Sequence, residues 1–191
     1  MTTLNNAVRS YANKATVEQY THNRLQDHLK PVLVPCANYH GYRVEKGTTE
    51  EASNLKQFVA VYVDSPIMLA EQGSFNSARG TIRDIIQPKR ANWQTGFLFA
   101  LVVDYHKYGG SEYVVHPESG HKLVPIFRST HDWTRGVIQC ERTQFRVEVA
   151  YASTIHESYG ETLDQVLFNL TGNDNFFSSH LTRPATSRPT I

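Results

Sequence analysis

The apolar positions of this chain change period along its length. From Thr3 to Lys30 they fall at helical spacing: Leu4, Val8 and Tyr11 form one stripe, and Val17, Tyr20, Leu25 and Leu29 a looser one. Thr16 and Gln19 stand at capping-box spacing between the two stripes, so two helices or one bent helix are expected. Pro31 and Pro35 bracket Val32-Leu33-Val34, the pattern of an extended connector. A strand over Tyr42–Val44 and an exposed loop to Ser53 follow. Phe58–Val63 then reads as a strand that Ile67–Leu69 extends past Pro66.

Gly96–Val103 contains the run FLFALVV, too short to span a membrane and suited to a central strand buried on both faces. Glu112–Val115 and Lys122–Phe127 return in the cadence of an antiparallel meander. Arg128–Arg135 reads as a polar link, followed by strands at Val137–Cys140 and Phe145–Tyr151. In the last, apolar residues alternate with Arg146 and Glu148, as in a strand with one wet face. The segment Glu71–Trp93 has no such period. Arg79, Arg83, Lys89 and Arg90 make it locally basic, so it is either a binding loop for an acidic or phosphate group or a solvated excursion with a short helix at Ile82–Ile86.

At the C-terminus, Thr162 and Gln165 repeat the capping-box spacing, and Leu163, Val166, Leu167 and Leu170 follow at i, i+3, i+4 and i+7. Gly172 closes that helix, Asn173, Asp174 and Asn175 turn the chain, and Phe176, Phe177 and Leu181 give a second apolar face before Pro184. This order resembles the LysM-like modules of tailed-phage baseplate and tail proteins. Gly160, Glu161, Thr162, Leu163, Leu170, Gly172 and Leu181 occupy the pattern's positions, whereas its asparagine after the second helix is here Thr182 or Arg183. An overlapping stretch, Thr154-Ile155-His156-Glu157-Ser158-Tyr159-Gly160, looks like a late motif of viral superfamily 1 helicases, a Thr-x-His-Glu run followed by Gln-Gly. Tyr159 stands where that glutamine belongs. The sequence has no Gly-x-x-x-x-Gly-Lys-Ser/Thr to cradle a triphosphate, so a complete nucleotide-driven motor is not expected.

Composition narrows little further. The 191 residues suffice for one domain with appendages, and a net charge of +1 gives no global attraction to nucleic acid or to a membrane. Cys36 and Cys140 allow one bridge at most, and neither an export signal nor an apolar run of roughly 18 residues is present. His116, His121, His131, Asp132 and Cys140 are metal-ligand types at spacings that match no zinc motif. Glu157 and Glu161, flanking His156 and Tyr159, read as a polar turn.

The expectation is therefore an α+β protein: a helical segment or arm at 1–30, a mainly antiparallel β core at 31–155, and a LysM-like module with an extended tail at 156–191. The resemblance implies a non-enzymatic component of a bacteriophage virion, in the tail, baseplate or neck, made in the host cytoplasm. A coat protein of a small virus and a glycan-binding LysM module are the alternatives. No catalytic residue, cofactor or metal is expected. The partners are copies of the chain and other virion proteins, with no membrane, specific nucleic acid or small-molecule substrate. Leu4, Val8, Tyr11, Phe176, Phe177 and Leu181 are the expected interface.

Overall fold

The computed structural model describes residues 7–27, 30–70, 78–88, 98–105, 114–118, 120–155 and 165–168. The chain forms two compact units. One joins Met1–Tyr20 to Ala152–Ile191, and the other is the intervening Thr21–Tyr151.

The first unit is built on a parallel sheet. β1 (Val8–Tyr11) lies between β11 (Ala152–Thr154) and β12 (Val166–Phe168), parallel to both. Arg9 is opposite Ala152 on one side and Leu167 on the other. Two helical expectations are corrected here. Val8 and Tyr11 have helical spacing, yet the segment is the middle strand, with Ser10 and Tyr11 buried. Val166–Phe168 falls within the expected helix from Leu163 to Leu170, yet it forms a strand whose preceding residue, Gln165, accepts the Val8 N–H through its carbonyl at 3.2 Å. Short apolar runs carry either period, and pairing on both sides of β1 decides for strand. The LysM-like residues Thr162, Leu163, Leu170, Gly172, Phe176, Phe177 and Leu181 lie outside the described residues, and no such module stands among those described. The expected helix survives as α1 (Lys14–Gln26), whose cap is Asn13 rather than Thr16.

The second unit is antiparallel. Its larger sheet has the order β10-β3-β4-β5-β7-β6, with β3 (Pro66–Leu69), β4 (Arg79–Ile86), β5 (Ala100–Asp104), β6 (Val114–Val115), β7 (Lys122–Phe127) and β10 (Val147–Val149). β5 is interior, as its hydrophobic run implies, with Leu101 and Val103 in a core shared with Val61, Ile67, Ile82, Leu98, Phe145 and Val147. The expected meander is reordered, since β7 inserts between β5 and β6. Pro125 is tolerated in β7 because two-residue β6 pairs only with Lys122 and Leu123. Within the basic stretch expected as a loop or short helix, Arg79–Ile86 is strand β4 with one bulge at Arg83, while Lys89 and Arg90 lie outside the described residues.

A smaller sheet has the order β2-β9-β8, with β2 (Asn38–His40), β8 (Ser129–Arg135) and β9 (Ile138–Gln144). The polar link expected over 128–135 is thus a strand, and the strand expected at 42–44 lies instead at Asn38–His40. Next comes a one-turn 3₁₀ helix at Val44–Lys46. Leu33 and Cys36 make antiparallel bridges to Val61 and Phe58, so the proline-bracketed connector is extended as expected. The β-rich, mainly antiparallel character of the α+β expectation holds.

Candidate functional site

Parallel strands carry their ligands beyond their carboxyl ends, where connections diverge and helix N-termini converge. In the first unit that edge is formed by the residues after Tyr11 and Thr154, which are register partners. The Ile155 N–H donates to the Tyr11 carbonyl at 3.0 Å and ties the two exits together. Beyond β1 the chain turns into α1 through Asn13, whose Oδ1 accepts from the Thr16 N–H at 2.9 Å and from its hydroxyl at 2.8 Å. The first turn of α1 holds no acidic residue and begins with Lys14, so the positive end of the helix is not neutralised from within. Ser10, Ser153 and Thr154 bring hydroxyls into the buried part of the sheet. Such an edge suits an anionic group such as phosphate.

Thr154 ends β11 and also opens the Thr-x-His-Glu run. The structure thereby puts the start of that motif at the carboxyl edge. His156, Glu157, Tyr159 and Glu161 lie outside the described residues. Of the expected interface, Val8 and Tyr11 are in the middle strand β1, with the Tyr11 ring 5.7 Å from that of Tyr20. Leu4, Phe176, Phe177 and Leu181 are outside the described residues.

Two polar groupings in the second unit escaped the sequence reading. The bulge in β4 re-aims Arg83, which donates through Nε and Nη2 to the buried Asp104 carboxylate at 3.2 Å and through Nη1 to Asp64 at 3.2 Å. Lys30 also pairs with Asp64, and His121 Nδ1 lies 3.2 Å from Asp104. The Lys30 hydrogen bond, followed by Arg83, holds the Asp64 carboxyl below the usual aspartate range against partial desolvation. The second grouping centres on Arg142, fully buried in β9. It donates to the Leu55 and Gly47 carbonyls at 2.7 Å each, with its guanidinium 5.4 Å from the Tyr39 ring centre and 5.7 Å from that of Trp133. The candidate metal ligands are dispersed: His121 faces Asp104, His131 stacks on Trp133, and Asp132 points to the opposite face of β8.

No family model matches the chain, and no curated protein sequence matches it. Solved structures do. The chain is similar to the Pif1 helicase from Candida albicans at 17% identity and a TM-score of 0.62, over 85% of this chain and 39% of that one. It is similar to Bacteroides Pif1 bound to ssDNA at 16% identity and a TM-score of 0.61, over 90% and 36% of the two chains. A third likeness is to Bacteroides Pif1 in complex with ADP-AlF3 and ssDNA, at 15% identity and a TM-score of 0.58, over 88% and 35%. This chain thus spans well under half the length of each, and what is shared is the fold. That likeness overturns the functional expectation. The fold is that of part of DNA helicases, not of a non-enzymatic tail, baseplate, neck or coat protein, and excluding nucleic acid and small-molecule partners conflicts with neighbours that hold ssDNA and a nucleotide analogue. The virion-protein partners fall with it.

Proposed function

We propose that this chain is the part of a nucleotide-driven DNA helicase that carries the late Thr-x-His-Glu motif, engages single-stranded DNA, and works with a phosphate-binding loop supplied from outside these residues. The observation that carries the reading is the fold match over 85–90% of this chain to Pif1 helicases, spanning both units. The motif's place agrees with it: Thr154 opens the run at the carboxyl edge of a parallel sheet, where phosphate chemistry is served by backbone N–H groups and a helix N-terminus. Phosphoryl transfer needs positioned charge around the triphosphate, and the 191 residues contain no Gly-x-x-x-x-Gly-Lys-Ser/Thr to hold it. Tyr159, where the helicase motif has glutamine, keeps a hydrogen-bonding hydroxyl and adds an aromatic face.

Fluorescence anisotropy of a labelled oligothymidine titrated with this chain tests the reading. Saturable binding at low salt, weakening as salt rises, is expected because bound phosphates release counterions. An unchanged anisotropy at low salt would sink it.

A further inference from the structure

After β2 the chain reverses through Gly41, Tyr42 and Arg43 into the 3₁₀ turn. Three features fix this backbone. Gly41 has φ of 115° and lies so near the Gln139 carbonyl that a Cβ would stand 2.4 Å from it. Arg43 has φ of 53°, in the left-handed region that residues with a side chain seldom enter. Val44 is fully buried and pins the far end. A strained turn persists only where its surroundings over-determine it, and such turns cluster at ligand clamps. What this one holds outward is Tyr42, 65% exposed, with the Arg43 guanidinium 5.1 Å from its ring centre. Tyr39 on β2 is 37% exposed and has the Arg142 guanidinium against its ring in the same manner.

Each tyrosine thus has a guanidinium against its ring and part of its aromatic surface open to solvent. Lys46 and Arg43 are exposed beside them, and Glu45 offsets part of that charge. The chemistry fits unpaired nucleobases, which stack on aromatic faces irrespective of sequence while nearby cations follow the backbone. It differs from the exposed Ile86, Phe99 and Phe127, which bear no polar group. We propose that the 39–43 turn is a stacking site for single-stranded DNA, Tyr42 taking one base on its ring and Tyr39 offering a second platform. This rests on the reading of the chain as a DNA-engaging part of a helicase. With Glu45 present, stacking supplies more of the local affinity than phosphate attraction does.

The test is anisotropy with labelled oligothymidine on the full chain and three variants. Tyr42→Ala is expected to weaken binding about tenfold without changing its salt dependence. Tyr42→Phe keeps the ring and should bind as wild type does. Arg43→Gly, which accepts the left-handed backbone, should weaken binding and also reduce the salt dependence. Wild-type affinity in Tyr42→Ala would overturn the stacking site and leave the helicase reading intact. Absence of binding by the unmodified chain would overturn both. Equal effects of Tyr42→Ala on a blunt duplex and on the single strand would also overturn it, since paired bases offer no free face.

Discussion

Arg142 shows how a charged residue becomes structural. A guanidinium inside a strand is stable only when its donors are met, and here the Gly47 and Leu55 carbonyls meet two of them while the Tyr39 and Trp133 rings flank its plane. Arg142→Met should therefore destabilise the second unit by about 3 kcal/mol, because both carbonyls lose a charged donor. Urea unfolding measures this, and a loss under about 1 kcal/mol would contradict it. Asp64 gives a pH prediction. Its folded pKa is depressed, first by Lys30 and then by Arg83, so its contribution is present above the ordinary aspartate value and is lost as pH falls through the folded one. The stability gap between wild type and Asp64→Asn should thus stay level above the ordinary aspartate range and shrink as pH falls below about 4. It will be small, because Asp64 is nearly half exposed and water screens the pairs. A gap that grows on acidification would refute the assignment.

At the scale of elements, α1 depends on its ends. It buries no residue, so the Asn13 cap is a main source of its local stability. Asn13→Ala should cost about 1 kcal/mol, seen as faster hydrogen exchange at Thr16 and Val17. Unchanged exchange there would show that packing, not the cap, holds the first turn. The sequence placed a helix over this segment correctly but put its cap at Thr16. Asn13 and Thr16 are three apart, so either can be read as a cap until backbone geometry assigns one to each role. β4 failed differently. Its glycine, its arginines and its extra residue at the bulge erase the two-residue period that would have announced a strand.

For the molecule as a whole, the decisive feature is that β1 lies between two strands from the other end of the chain. Deleting residues 1–13 should remove amide-exchange protection at 152–154 and 166–168, because both strands lose their shared partner, while Ile82, Leu101 and Val103 in the second unit stay protected. Persistent protection at 152–154 would show that β11 does not depend on β1. The sequence by itself determined the elements whose signal is local. FLFALVV makes β5 interior, the 14–26 region is helical, and the Thr154–Gly160 run resembles a late helicase motif with no phosphate loop in the sequence beside it. Only the tertiary structure decided that Val8–Tyr11 and Val166–Phe168 are strands, that Thr154 ends a parallel one, and that Arg83 and Arg142 reach buried oxygens. The reason is physical: these outcomes depend on partners as far apart as Val8 and Val166, and a period read within one turn or one strand has no access to such pairing.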